Sequence, residues 1–261
     1  MKFYQLATTA LFAINSISGA TIFPRQDQQQ QNGNQSQYPS SVDIGQLNGT
    51  WYLTGLTSNL WDLYQTYGGK LGISANCLQV DLTNSSSSEL EAIGSGFFNR
   101  TSSGVGVNAT AAGAFYLSGP TSDLDVSAND LAWSAYVSQV FVNKAQWQNF
   151  VSNGQGGNSD NTTDGGSEPI PGSKTMQATI NTRLINSSGN SGDNSTNFDT
   201  LFVWGSHAQT VSKRADDVYG AILSRNPSVD QDTFSRTLGL LPSGVTNTTL
   251  VLLDDSCNTQ Q

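Results

Sequence analysis

Hydrophobic positions along this chain recur mostly at every second residue, the period of a half-buried strand. Thr50 to Leu56 is the first such run, approached through the turn-forming stretch Val42 to Asn48. Ala75 to Leu82 alternates cleanly: Leu78, Val80 and Leu82 share one face, and Cys77, Gln79 and Asp81 share the other. The second face is polar, so Cys77 is expected to point outward. Further strands are predicted at Glu89–Ile93, at Val105–Ala111 with an extension back towards Phe97, and at Ala114–Leu117. Leu131 to Val142 is the longest alternating run. It sets Trp133, Ala135, Val137, Gln139 and Phe141 against Tyr136, Val140 and Val142; both faces are fairly apolar, which leaves the inward face open. Met176–Ile185, Phe198–Ser206 and Val218–Ser224 complete the set.

Between these runs the chain changes character. Ser58 to Gly69 is aromatic and ends in two glycines, a loop with a helical turn. Asn143 to Phe150 is a short helical or strand extension carrying Trp147. Residues 151–173 are rich in Gly, Asn, Asp and Ser, with Pro169 and Pro171, and read as a flexible insertion. After the last strand, Ser228 and Gln231 have capping-box spacing, and Phe234, Leu238 and Leu241 fall on one helical face. About eight sequential strands without βαβ spacing give an all-β fold, an eight-stranded antiparallel up-and-down barrel with a C-terminal helix packed outside.

The N-terminal region stands apart. Met1 to Ala20 has a basic start at Lys2, a short apolar run from Leu6 to Ile14, and the small-residue site Ser18-Gly19-Ala20. That is the pattern of a signal peptide, so the expected location is extracellular. Residues 21–41 form a Gln- and Asn-rich arm expected to be disordered, and the barrel domain spans 42–261. No later stretch has the length and apolarity of a membrane anchor.

Composition narrows the partners. The chain has 261 residues, 36% hydrophobic and only 12% charged, with a formal net charge of −9. An acidic chain repels phosphate backbones, so nucleic acid is not an expected partner. Cys77 and Cys257 are the two cysteines. An even count in an oxidising compartment suggests a bridge, and the alternative is a reduced buried pair.

Gly49-Thr50-Trp51-Tyr52 at the first strand, a last strand running from Tyr219 to Arg225, a helix after it and then Leu253–Cys257 resemble the lipocalins, most closely the apolipoprotein D-like branch. The resemblance implies that Trp51 closes one end of the barrel, beside Gly49, with Arg225 lying across its ring. It implies a Cys77–Cys257 bridge, stapling the tail to the outside of the second strand. It also implies a loop after the first strand that covers the open mouth, where Trp61, Tyr64 and Tyr67 either face a ligand or pin the loop to the rim. The family's second motif, a Thr-Asp-Tyr-like turn, is missing; the region holds Ile180 to Ile185 and then a polar loop.

The implied function is a secreted carrier for a small hydrophobic ligand, such as a lipid, sterol, retinoid or pigment. Its expected contacts are Trp61, Tyr64, Tyr67, Phe97, Trp133, Phe141 and Trp204, drawn from a supply of aromatics that also includes Phe115. The alternatives are an enzyme on the same scaffold, of isomerase or epoxide-processing type, and a partner-binding glycoprotein with a filled barrel. Catalytic chemistry is thin. His207 is the sole histidine and no Gly-x-Ser-x-Gly elbow accompanies it. Metal-ligand clusters, phosphate loops and dinucleotide fingerprints are missing from the sequence, so no metal or cofactor is expected. Glu89 with Glu91, Asp216-Asp217 and Asp254-Asp255 read as solvated faces, and Lys213-Arg214 as a charged turn. Asn-x-Ser/Thr sequons at Asn34, Asn84, Asn99, Asn108, Asn161, Asn186, Asn194 and Asn247 are candidate glycan acceptors; Asn48 also fits but adjoins the Gly-x-Trp motif.

Overall fold

The computed structural model describes residues 43–70, 72–118, 129–152, 166–170, 175–186, 198–205, 219–242, 250–253 and 257. The signal peptide, the arm, most of the 151–173 insertion, Asn34, Asn161, Asn194, Asn247, His207, Lys213-Arg214, Asp216-Asp217 and Asp254-Asp255 lie outside these residues, as does the side chain of Tyr67.

The strands are β1 (Gly49–Thr57), β2 (Ile73–Ser86), β3 (Glu89–Arg100), β4 (Gly106–Ser118), β5 (Asp130–Val137), β6 (Phe141–Asn143), β7 (Ser167–Pro169), β8 (Met176–Ile185), β9 (Thr200–Gly205), β10 (Tyr219–Ser224) and β11 (Leu250–Leu252). Eight of them close a ring. β1 to β5 pair in sequence, β5 pairs β8, then β9 and β10 follow, and β10 returns to β1 with Tyr52 opposite Ser224 and Leu56 opposite Ala221. Every link is antiparallel, so the fold is a closed up-and-down barrel of the lipocalin-like type. Short β6 extends the wall beside β4, β7 pairs β6, and β11 adds to the end of β1.

Alternation sets the inner face where the outer one is wet. On β3, Leu90, Ala92 and Phe98 are buried while Glu91 and Ile93 are exposed; on β4, Val107, Ala109 and Ala111 are buried while Asn108 and Thr110 are exposed. The two stretches expected as separate strands, Val105–Ala111 and Ala114–Leu117, are one strand, because β3 pairs β4 without a break from Glu89–Tyr116 to Asn99–Gly106.

The long run from Leu131 to Val142 is not one strand. Ser138 donates its backbone N–H to Ala112 O (2.8 Å), and its Oγ accepts the Ala112 N–H (3.0 Å), so a side chain takes a rung of the ladder. The resulting irregularity shifts parity. Val137, Val140 and Val142 are buried together, and Phe141 leaves the face of Trp133 to pair with outward Thr110.

β2 has a bulge as well. Its register passes from Asn76 opposite Phe97 to Gln79 opposite Ser95, so Cys77 and Leu78 face a single residue. Cys77 has a φ of 48°, a left-handed conformation that few residues other than glycine adopt.

The α-helices among the described residues are α1 (Ser58–Tyr64), which runs on into a π-helical turn at Gln65–Gly69, α2 (Lys144–Val151) and α3 (Gln231–Leu238). α2 brings Trp147 and Phe150 into one cluster with Phe98, Val107 and Ala109, with Arg100 over the Phe150 ring at 5.6 Å. α3 lies outside the wall. Its Phe234 packs with Phe202, Trp204 and Ile222, and Leu241 joins them. The cap of α3 is Asp230, whose Oδ1 accepts the Thr233 N–H at 2.8 Å, rather than Ser228. A carboxylate at this position answers the free N–H groups of the first turn, which also lowers the Asp230 pKa.

Candidate functional site

Trp51 is fully buried, and its indole N–H donates to Leu47 O at 2.7 Å. Leu47 ends a short 3-10 turn, Ile44–Leu47, whose two apolar side chains join the same cluster. The Arg225 guanidinium lies 3.8 Å from the Trp51 ring centroid, donates to Gln46 O at 2.7 Å and to Thr50 O at 3.4 Å. A planar cation thereby stacks on the ring and ties the turn to the strand. Burial lowers the Arg225 pKa from its ordinary value. Gly49 is required here twice over: its φ is +101°, and a Cβ would stand 3.0 Å from Arg225 Nη1.

Arg225→Ala removes the stacking and strands two carbonyls. The expected loss is about 2 kcal/mol, read as a fall in the urea midpoint at unchanged slope. The order of ligand affinities should stay as in wild type, because Arg225 is not among the residues that line the cavity.

Inside the ring of strands the interior stays partly empty. A cavity of about 110 Å3 is lined from all eight barrel strands. That is several times the roughly 10–15 Å3 that admits one water. Leu53, Leu78, Val80, Leu82, Leu90, Phe115, Trp133, Ala135, Ile180, Leu201, Val203 and Leu223 supply most of the wall. Its polar residues are Gln79 and Thr182, and no charged residue borders it. Trp133 donates its indole N–H to Thr182 Oγ1 at 3.0 Å. An uncharged, apolar concavity with few polar groups is the usual form of a small-molecule site.

The residues expected to contact a ligand separate. Trp133 lines the cavity. Trp61 stacks on Tyr64 at 5.3 Å, in a cluster with Leu56, Leu60 and Ala221, and the Tyr64 hydroxyl accepts the Ala75 N–H at 2.9 Å. These two contacts tie α1 to β1, β2 and β10. Phe97 is paired with Asn108 on the outer face, its ring over Gly106. Phe141 faces outward as described above. Trp204 stacks on Phe202 at 5.3 Å in the cluster under α3, on the other side of the wall from the cavity.

Part of the wall comes from aliphatic residues of β8, β9 and β10 that sequence reading did not single out: Met176, Ala178, Ile180, Leu201, Val203, Ala221 and Leu223. β9 is buried along its whole length, because the cavity covers one face and α3 the other. Alternation therefore carries no signal there. Phe115 could have been found from its pairing parity with Leu90, its partner across the ladder.

Glu89 is paired with exposed Tyr116 and, by its negative charge, raises the pKa of the phenol. Among the described residues no group of three His, Cys, Asp or Glu side chains could hold a metal ion. No helix among them has the length and apolarity to cross a membrane. The cysteines are joined: Cys77 is bonded to Cys257, with Cα atoms 4.5 Å apart.

No family model matches the chain, and no curated protein matches it. Solved structures with a partial likeness include a biogenic amine-binding protein, at 14% identity and TM-score 0.34 over 74% of this chain and 71% of that one. The tryptamine complex of the amine binding protein of Rhodnius prolixus shows 14% identity and TM-score 0.33 over 82% of this chain and 80% of that one. The fold itself, a closed eight-stranded antiparallel barrel with a C-terminal helix, is lipocalin-like.

Proposed function

We propose that this chain is a secreted carrier that holds one small, uncharged, hydrophobic molecule inside the barrel. The observation that carries the reading is the interior cavity, lined by all eight strands and bordered by no charged side chain. A charge moved into such a space would lose its hydration without a partner, whereas apolar area gains about 25 cal/mol per Å2 buried before association costs. The predicted signal peptide and the Cys77–Cys257 bridge support an oxidising, extracellular setting. Together with the Gly-x-Trp start and Arg225, the bridge also supports the apolipoprotein D-like branch. Glycans at exposed sequons such as Asn108 belong to the same reading.

The test is a titration of the mature protein with fatty acids, retinoids and sterols, followed by tryptophan fluorescence. Micromolar saturation is expected, and Trp133→Ala should weaken it by about tenfold, the loss of one large buried contact. If no apolar compound binds and native mass spectrometry finds the barrel empty after secretion, the carrier reading falls and a partner-binding glycoprotein takes its place.

A further inference from the structure

Thr182 is the polar residue set among the aliphatic side chains of the inward face of β8, between Ile180 and Leu184. It is only 5% exposed. Its register partners Leu131 and Val203 point the same way, which places its side chain on the cavity side of the wall. Its Oγ1 accepts the Trp133 indole N–H. An indole N–H can only donate, so this bond consumes acceptor capacity of the hydroxyl and leaves its proton unused. Among the described residues that proton meets no acceptor.

We infer that the Thr182 hydroxyl is the polar anchor of the cavity and that it selects ligands carrying a hydrogen-bond acceptor, such as a ketone or ester carbonyl. The inference rests on the carrier reading and refines its ligand class. The chemistry is asymmetric. A carbonyl placed against Thr182 regains a hydrogen bond in exchange for the water it leaves. A ligand group that only donates competes for the one lone pair the indole leaves on the threonine oxygen and leaves the hydroxyl proton unanswered, and a cation finds no counter-charge. A hydrocarbon fits the walls but leaves the hydroxyl proton unanswered. Trp133 has a positioning role: its N–H turns the hydroxyl so that the proton is directed away from the indole.

Two matched probe pairs test this, acetophenone with ethylbenzene and 2-acetylnaphthalene with 2-ethylnaphthalene. Each pair differs by one carbonyl. Affinities are measured on the full mature chain, as wild type, Thr182→Val and Thr182→Ser. Valine puts a methyl where the hydroxyl was and deprives the Trp133 indole N–H of its acceptor, so Thr182→Val is also compared in a Trp133→Phe background, where no indole can donate to the ketone instead; serine retains the donor. The expected result is that Thr182→Val weakens each ketone about three- to tenfold relative to its hydrocarbon partner, the value of one neutral hydrogen bond. Thr182→Ser should keep the wild-type ratio, and the hydrocarbons should bind Thr182→Val as well as wild type. An unchanged ratio in a Thr182→Val protein that still binds the hydrocarbons overturns the anchor and leaves the carrier reading standing. A wild type that binds none of the four probes but does bind a fatty acid, retinoid or sterol overturns the anchor alone, and one that binds neither set overturns both.

Discussion

Replacing Asp130 by alanine is expected to cost about 3–5 kcal/mol, one of the two largest effects expected of changes to this chain. Asp130 and Arg183 sit directly opposite each other on β5 and β8. Arg183 Nε meets Asp130 Oδ1 at 2.6 Å and Nη2 meets Oδ2 at 2.8 Å, a two-pronged pairing. The two side chains are 9% and 12% exposed, Arg183 and Asp130 respectively. Arg183 points to the outside of the wall, yet it is covered there, since its Nη1 also donates to Leu240 O just beyond α3 at 3.3 Å. The C-terminal segment thus lies over an ion pair instead of leaving it in water. Without Asp130 the guanidinium loses its counter-charge while its cover remains. Replacing both residues, Asp130→Leu with Arg183→Met, removes the charge and its desolvation together. That pair of changes should fall within about 1 kcal/mol of wild type. Urea unfolding of the two single variants and the double gives the coupling directly. A loss below about 1 kcal/mol for Asp130→Ala would mean that water reaches Arg183 and that the C-terminal segment does not seal the wall.

This pair marks where sequence reading stops. Strands with one wet face were legible: Leu78, Val80 and Leu82 separate from polar Gln79 and Asp81, and all three line the cavity. The Trp51–Arg225 contact was legible through a resemblance, because both residues fall in motifs at the two ends of the chain. β9 was not, since apolar side chains cover both of its faces, and the inward face of β5 was left open because Tyr136, Val140 and Val142 made its other face look apolar too. The switch at Ser138 was hidden too, because it depends on a serine taking the place of a backbone group opposite Ala112. For the same reason Phe141 and Trp204 looked like cavity residues when one faces outward and the other packs under α3. Thr182 carried no signal at all, lying in a run of polar and apolar residues whose inward face only the register with β5 and β9 defines. Asp130 and Arg183 are 53 positions apart, and nothing local to either announces the other.

Removing the bridge with Cys77→Ser and Cys257→Ser together should lower stability by about 3–5 kcal/mol. The two cysteines are 180 positions apart, and the chain-entropy model values closure of so long a loop at about 5 kcal/mol, an upper figure that retained structure in the unfolded chain reduces. The folded side of the balance gives a second, separable effect. β11 holds to β1 through Gly55–Leu252, Leu56–Val251 and Thr57–Leu250, with Leu253 N–H on Thr54 O at 2.9 Å. So short a strand at the edge of the wall depends on Cys257 being anchored to the β2 bulge at Cys77. In the double variant its amides should exchange hydrogen fast, while amides of the β2–β3 ladder should exchange only through global unfolding. Unreduced peptide mapping of the wild type should show one linked pair, and two alkylatable thiols in the folded protein would remove the premise. If the midpoint of unfolding stays put while β11 alone loosens, the bridge acts only on the tail. If the midpoint falls and β11 stays protected up to global unfolding, the bridge acts through the unfolded chain, and the pairing with β1 is enough to hold the tail in place.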